Sequence, residues 1–208
     1  MTCWAIIPVK EGASGKSRLA GVLDGDERAR LISAMLKHVV KVASASPEIS
    51  RIFLVGPSRH GMDETIPLLD DPGEGLNAAV TSALAQVSTS ESIHESGEGP
   101  ARVMVIAADL PVVTSRDLDL LALAPADAIS IAPDRHGIGT NAISLPLPAG
   151  RGFTFAFGPD SLLRHQEEAE RLGLRVETVL SHGLERDIDV PADLADAGDL
   201  LRSQNLSE

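Results

Sequence analysis

The chain has 208 residues, and its 30 acidic and 18 basic side chains give a formal net charge of −12. This length suits one well-packed α/β domain, and the acidic balance argues against non-specific binding to nucleic acid or to an anionic membrane. The single cysteine, Cys3, excludes a disulfide within the chain, and the sequence shows neither a leader nor an apolar run of about eighteen residues, so we expect a cytoplasmic protein.

The first twenty residues join an apolar strand to a loop of small residues and cations. In α/β proteins ligands bind beyond the carboxyl ends of strands, where such a loop can turn its N–H groups toward a phosphate. Gly15 and Lys16 fit a P-loop, but Lys10 stands where the first glycine of that pattern belongs. A solvated charge run is the alternative, yet the place at a strand end favours phosphate binding by Lys10, Lys16 and Arg18.

Apolar runs that predict strands alternate along the chain with helical patterns. The predicted strands cover residues 4–9, 51–56, 66–69, 102–108, 128–132, 142–147 and 175–179, and residues 153–158 show the period of two that is typical of a strand. The predicted helices lie between residues 24 and 46, 77 and 87, 114 and 123, and 159 and 172, with a last one after Pro191. This alternation predicts a mainly parallel, doubly wound sheet.

Three aspartates stand where a metal could bind. Asp109 follows the most apolar run, which predicts a central strand, and a carboxylate there could hold Mg²⁺ over bound phosphates. Asp187 and Asp189 are two residues apart, so on an extended segment both carboxylates point to one face. The alternatives are a turn acid for Asp109, before Pro111, and a helix-start residue for Asp189.

A second glycine loop precedes the predicted helix that ends near residue 87. Its Glu74 could accept a hydrogen bond from a guanine edge, and Asn77 could read the base or ribose, or could simply cap the helix. The six histidines show no metal-ligand spacing, and no nucleophile elbow is present, so covalent catalysis is not indicated. The polar stretch 88–100 is interpreted as a mobile surface loop.

Together these motifs resemble the phospholactate guanylyltransferase family (CofC/FbiD-like) of coenzyme F-420 biosynthesis, a branch of the nucleotidyltransferase fold related to glycosyltransferase-A enzymes. The resemblance covers nearly the whole chain and rests on six fragments in order: 8–10 with 16–19, 71–78, 108–111, 133–141, 157–161 with His165, and 187–191. It implies a single-domain, three-layer α/β/α Rossmann-like fold with a mainly parallel mixed sheet. The domain would span residues 1–202, with a flexible insertion at 88–100 and a disordered tail at 203–208.

The resemblance also implies a role for each residue of the motifs. Mg²⁺ would be bound by Asp109, Asp187 and Asp189; GTP by Lys10, Gly15, Lys16, Arg18, Glu74, Gly75 and Asn77; and the phosphorylated acid by Thr140, Asn141, Gly158 and Ser161. Lys16, Arg18 and Asp109 would act in catalysis, and N–H groups at the helix start near Ser161 would bind an anion. A homodimer and a hand-off of product to the next transferase of the pathway are further partner hypotheses.

The implied reaction is attack of a phosphate monoester on the α-phosphorus of GTP, with release of pyrophosphate. Because the second pKa of such a phosphate is about 6, the nucleophile is already anionic at neutral pH and needs no general base. The acceptor is left open among 2-phospho-L-lactate, phosphoenolpyruvate and 3-phospho-D-glycerate. Two other functions also stay open: a P-loop kinase or NTPase, and a non-catalytic GTP-binding regulator.

Overall fold

The computed structural model describes residues 2–9, 16–89 and 99–198. Two predicted nucleotide-binding residues, Lys10 and Gly15, lie outside the described residues. So do residues 90–98 of the predicted insertion and the predicted tail, 203–208. The hypotheses about them stay predictions.

One mixed sheet organises the described chain. Its strands are β1 (Cys3–Pro8), β2 (Ile49–Val55), β3 (Leu68–Leu69), β4 (Arg102–Ile106), β5 (Ala128–Pro133), β6 (Thr140–Pro146) and β7 (Arg175–Thr178). They lie in the order β3-β2-β1-β4-β6-β5-β7. Only β6 runs antiparallel to its neighbours, β4 and β5, and the remaining described pairings are parallel. The mainly parallel mixed sheet confirms the predicted fold class.

Helices connect the strands and begin where the sequence places capping residues. The α-helices are α1 (Gly25–Ala45), α2 (Leu76–Thr89), α3 (Ser115–Ala122), α4 (Ser161–Arg171) and α5 (His182–Glu185), and 3₁₀ turns cover Ser17–Leu19, Ala149–Gly152 and Pro191–Ala195. The N–H of Glu27 donates to Asp24 before α1, and the N–H of Asp24 donates back to Glu27, each over 2.8 Å. Thr114 caps α3 in the same reciprocal way.

Alternate residues of β1 divide the apolar core into two layers. Cys3, Ala5 and Ile7 pack with side chains of α1 and α3 on one face of the sheet. Trp4 and Ile6 pack with side chains of α2 and α4 on the other face. Because successive strand residues point to opposite faces, this distribution makes three layers, helix on sheet on helix. No helix in the described part of the chain has the length and apolarity needed to cross a membrane.

Three local expectations differ from the structure. Residues 153–158, all of them described, form no strand, and the N–H groups of three of them donate to side chains instead of to a neighbouring strand. These bonds join Thr154 to Glu168 (2.7 Å), Ala156 to His165 (3.0 Å) and Phe157 to Asn77 (2.7 Å). The period of two arises because Phe153 and Phe155 are buried. The predicted last helix begins as a 3₁₀ turn at Pro191, and α2 extends to Thr89, so the predicted loop cannot begin at Ser88.

Arg102 is a buried cation that ties the centre of the sheet to the chain between α3 and β5. Only 1% of the residue is exposed. Its guanidinium donates to the hydroxyl and carbonyl oxygens of Ser144, each over 2.9 Å, and to the carbonyls of Ala124, Pro125 and Ala128. Burial lowers the pKa of this group, but arginine stays charged in proteins. The five bonds therefore compensate the buried charge and give four carbonyl oxygens a donor.

Replacing Arg102 with leucine should strongly destabilise the fold. The Arg102→Leu variant removes all five of these hydrogen bonds from a buried site, and we expect the free energy of unfolding to fall by about 3 kcal/mol, as measured by urea denaturation. Arg30→Leu is the matched control, because Arg30 is exposed on α1, and it should change stability by less than about 0.5 kcal/mol. Equal losses in both variants would contradict this account of Arg102.

Candidate active site

A cavity of about 610 Å³ lies at the edge of the sheet where β1 and β4 end. Val9 and Ala107 to Asp109, which follow these parallel strands, contribute to its wall. Because β6 runs in the opposite direction, its first residues, Thr140 and Asn141, lie at this same edge. The antiparallel strand thus places the start of one motif beside the ends of two others, as is usual for ligand sites in α/β folds.

Lys16 crosses the cavity and pairs with two of the predicted metal ligands. Its ammonium donates to Asp109 Oδ2 and, over 2.9 Å, to Asp189 Oδ1. The backbone of Lys16 is left-handed (φ 58°), a conformation uncommon for a residue with a Cβ. Burial acts to lower the pKa of Lys16, but the charges and hydrogen bonds of Asp109 and Asp189 outweigh it and raise the pKa above its ordinary value. The side chain therefore stays a fixed cation.

The negative charges of Asp109 and Asp189 act on the third aspartate, Asp187. Burial, followed by the charges of Asp109 and Asp189, raises the pKa of the Asp187 carboxyl, against the hydrogen bonds that Asp187 accepts. One of these bonds comes from the amide of Asn141, whose Nδ2 lies 3.4 Å from Asp187 Oδ1 and also donates to the carbonyl of Leu184 over 2.9 Å. Three carboxylates this close favour a cation near them.

These carboxylates suit Mg²⁺, which prefers oxygen ligands. In residues 2–9, 16–89 and 99–198, no three His, Cys, Asp or Glu side chains are arranged to hold a metal as they stand. Instead, the ammonium of Lys16 lies between two of the carboxylates, where it supplies the positive charge that they attract. The donor set therefore fits a divalent cation, and metal binding by Asp109, Asp187 and Asp189 stays a prediction.

Arg18 lies at the mouth of the cavity. Its side chain is 73% exposed, and its guanidinium lies 3.9 Å from Asp189. This ion pair is solvated and weak, so little energy opposes a move of the guanidinium toward a more highly charged group. Contact between Arg18 and the phosphates of GTP stays a prediction.

The four residues predicted to hold the acid all line the cavity: Thr140, Asn141, Gly158 and Ser161. Gly158 has a φ of +125°, which only glycine adopts readily. The helix-start donors are already engaged, because the N–H of Ser161 donates to the Gly158 carbonyl (3.2 Å) and that of Leu162 to the Ile138 carbonyl (3.0 Å). An anion at this point would have to compete with both carbonyls.

The second glycine loop reaches the cavity through Leu76, which lines it. Glu74 and Gly75, on one side of Leu76, are exposed. The Asn77 amide is bound to the backbone of Phe157, accepting from its N–H over 2.7 Å and donating to its carbonyl over 3.1 Å. Direct base contacts by these residues stay predictions, and the structure gives Asn77 the task of joining this loop to the wall that carries Gly158.

The cations and carboxylates of this cavity, and the four residues predicted to hold the acid, all lie within residues 3–201. This stretch matches the family model described as "Guanylyl transferase CofC like". The chain belongs to this guanylyltransferase family. The family predicted from the sequence motifs is thereby confirmed.

Relatives of this family member match over most of their own length. A phosphoenolpyruvate guanylyltransferase of Sphaerobacter thermophilus is 36% identical over 199 residues, which cover 93% of this chain and 91% of the relative. One of Chloroflexus aurantiacus is 39% identical and covers 88% of each chain. A 2-phospho-L-lactate guanylyltransferase of Halorubrum lacusprofundi is 35% identical over 183 residues, which cover 87% of this chain and 77% of the relative.

Solved structures support the fold. A nucleotidyl transferase from Methanothermobacter thermautotroptrophicus superimposes with a TM-score of 0.63 over 98% of this chain and 99% of its own, at 18% identity. A 4-diphosphocytidyl-2C-methyl-D-erythritol synthase from Anaerococcus prevotii gives a TM-score of 0.60 over 96% of both chains, at 12% identity. At such low identity the likeness concerns the fold alone, and it confirms the nucleotidyltransferase fold.

Two charged residues that the sequence does not single out support the segment that carries Asp187 and Asp189 in this guanylyltransferase. Asp193, which is 4% exposed, accepts the N–H groups of Asp189 and Val190 at one oxygen, each over 2.8 Å. Its other oxygen accepts from Arg135 over 2.7 Å, and Arg135 also donates to the Asp187 carbonyl. The signal that could have found Asp193 is an acid two residues after Pro191, which is typical of a capped turn.

His165 is completely buried behind Thr140, one of the four residues predicted to hold the acid. Its Nε2 accepts the Ala156 N–H over 3.0 Å, and its Nδ1 lies 3.0 Å from Thr140 Oγ1. Burial lowers the pKa of His165 to about 4, against the opposing charge of Glu168. The imidazole is therefore neutral at physiological pH.

The neutral His165 should make the fold sensitive to acid. Its pKa is about 4 in the folded protein, below the ordinary value of 6.5, so the unfolded chain gains a proton before the folded chain does as pH falls. As the pH falls below about 6.5, the free energy of unfolding of the natural protein should therefore decrease more steeply than that of His165→Gln. The difference should be up to about 1.4 kcal/mol per pH unit. Urea denaturation of both proteins from about pH 7.5 to 5 measures the difference, and parallel pH profiles would refute it.

Proposed function

We propose that this guanylyltransferase joins GMP from GTP to a small phosphorylated carboxylic acid and releases pyrophosphate. The observation that carries the proposal is the shared cavity. A fixed cation, three carboxylates and the four residues Thr140, Asn141, Gly158 and Ser161 all line it. Such a site can hold two anionic reactants side by side, which is the main demand of nucleotidyl transfer.

The cationic side would receive the triphosphate. Lys16 and Arg18 would donate to phosphate oxygens, and Asp109, Asp187 and Asp189 would hold Mg²⁺. The metal would supply positive charge that offsets the triphosphate and the departing pyrophosphate. The loop of Glu74, Gly75 and Asn77, together with Lys10 and Gly15, is proposed to bind the rest of GTP, as the sequence resemblance implies.

The wall that carries Thr140, Asn141, Gly158 and Ser161 would hold the acceptor, with its phosphate toward the α-phosphorus of GTP. This phosphate is anionic at neutral pH because its second pKa is about 6. A general base is therefore unnecessary, and the protein needs only to align and neutralise the reactants. His165 is placed too deep to serve as a base, since it is fully buried behind Thr140.

The relatives narrow the acceptor to two leading compounds. Those from Sphaerobacter and Chloroflexus are named phosphoenolpyruvate guanylyltransferases, and that from Halorubrum a 2-phospho-L-lactate guanylyltransferase. We propose that one of these two acids is the acceptor of this enzyme, and 3-phospho-D-glycerate is the third candidate. We further propose that the reaction belongs to coenzyme F-420 biosynthesis and takes place in the cytoplasm. The homodimer and the hand-off of product stay predictions.

A product assay tests the reaction. The purified protein, with GTP, Mg²⁺ and each of the three acids, should release pyrophosphate with at least one acid, and excess EDTA should abolish the release because the carboxylates need the metal to bind the triphosphate. The same assay with the other nucleoside triphosphates measures base selectivity. Release of GDP and free phosphate would instead support a kinase or NTPase. GTP binding without turnover of any acid would support a regulator.

Asp109→Asn should abolish most of this activity. The substitution removes one of three carboxylates and leaves Lys16 with a single strong partner, so we expect kcat to fall by about 100-fold or more. Glu170→Gln is the matched control, because it removes one charge from an exposed position on α4, and it should keep the natural rate. Circular dichroism should show both variants folded, and full activity of a folded Asp109→Asn would exclude the proposed role of Asp109.

A further inference from the structure

His165 connects the backbone of residues 153–158 to the cavity wall through two hydrogen bonds. The Ala156 N–H lies 3.0 Å from Nε2, and Thr140 Oγ1 lies 3.0 Å from Nδ1 on the other side of the ring. The imidazole is completely buried, whereas Thr140 reaches the cavity. His165 therefore touches nothing that binds in the cavity, and it can act only through Thr140.

The direction of each hydrogen bond follows from the donors available. A backbone amide can only donate, so Nε2 of His165 must accept from Ala156. A neutral imidazole carries its single hydrogen on the other nitrogen, so Nδ1–H donates to Thr140 Oγ1. Burial that favours the neutral ring agrees with this tautomer.

The Thr140 hydroxyl is then left with one hydrogen to donate. In the described part of the chain, His165 is the hydrogen-bond partner that the structure gives to Thr140 Oγ1, and this partner occupies an acceptor position of that oxygen. The remaining O–H belongs to a residue of the cavity wall beside Asn141, Gly158 and Ser161. A donor in that position suits an anionic oxygen.

Resting on the proposed function, we propose that His165 is a positioning residue that orients the Thr140 hydroxyl as a donor to the phosphorylated acid. The relay runs in one direction, from the Ala156 N–H to His165 and from His165 to Thr140. Its last donor is the hydroxyl of a residue of the cavity wall, and a hydrogen bond to an anionic oxygen is stronger than one to a neutral alcohol. The relay therefore favours an anionic acceptor without a charged side chain at Thr140.

The packing around the ring keeps the relay in place. Phe157 and Phe153 lie against the imidazole, with centroid distances of 4.9 and 5.6 Å, and Phe155 lies at 6.4 Å. Three aromatic rings leave the imidazole little freedom to rotate, which keeps Nδ1 directed at Thr140.

Two isosteric substitutions of His165 separate orientation from packing. Asparagine places its amide nitrogen near the position of Nδ1 and keeps a donor to Thr140, whereas glutamine places its amide oxygen near Nε2 and keeps only the acceptor for Ala156. We expect His165→Gln to raise the KM of the acid about tenfold with the KM of GTP unchanged, and His165→Asn to raise it less than about threefold. Equal effects of the two variants on the KM of the acid would overturn the positioning role.

Thr140 variants complete the test and leave the His165 side chain itself unchanged. Thr140→Val should raise the KM of the acid about tenfold, and Thr140→Ser, which keeps the hydroxyl, should restore it. In the Thr140→Val background, His165→Gln should cause no further rise, because the relay has lost its end. A further rise, or a natural KM in Thr140→Val, would overturn the proposal even if a His165 variant failed to fold.

The tautomer can be observed directly. Nitrogen-15 NMR of the natural protein should show the His165 proton on Nδ1, and a proton on Nε2 would overturn the relay whatever the kinetics. If the natural protein turns over none of the acids, the proposed function fails and the relay fails with it. If it turns over an acid and the variants behave alike, only the relay is lost.

Discussion

The ion pairs of Lys16 with Asp109 and Asp189 hold together parts of the chain that are far apart in sequence. Asp109 is 93 residues from Lys16, and Asp189 is 173 residues away. Without a cation between them, these neighbouring carboxylates would repel one another at the end of the sheet. The same charges that make this ammonium a stable partner would attract a metal, and if a metal bound there as proposed, Lys16 would be free to contact phosphate.

The reversed strand β6 determines which groups face this cluster. In a fully parallel sheet the start of a strand would lie at the opposite edge, away from the ligand. Because β6 is antiparallel to β4, Thr140 and Asn141 open onto the cavity beside Asp109. The amide of Asn141 then reaches Asp187, so the wall proposed for the acid and the carboxylates proposed for the metal share a hydrogen bond.

The walls of the cavity are held by side-chain to backbone bonds more than by regular structure. Asp193 accepts the N–H groups of Asp189 and Val190, and Asn77 binds both polar groups of the Phe157 backbone. Charge-assisted and paired bonds of this kind fix irregular backbone where no strand or helix can. A site that must align two anions depends on such fixed geometry.

The sequence by itself determined the order of the seven strands and of helices α1 to α4, the family, and the charged and polar residues of the three motifs that meet at the cavity, because apolar periodicity and motif order are written locally along the chain. It indicated Asp109 from its place at a strand end, Asp187 and Asp189 from their spacing of two residues, and Lys16 from its glycine loop. Only the tertiary structure decided that Lys16 pairs with Asp109 and Asp189, that residues 153–158 bond to side chains instead of to a strand, and that His165 stands behind Thr140. Each of these depends on partners brought together by chain folding across many residues, and no local pattern encodes which distant side chain will accept a given hydrogen.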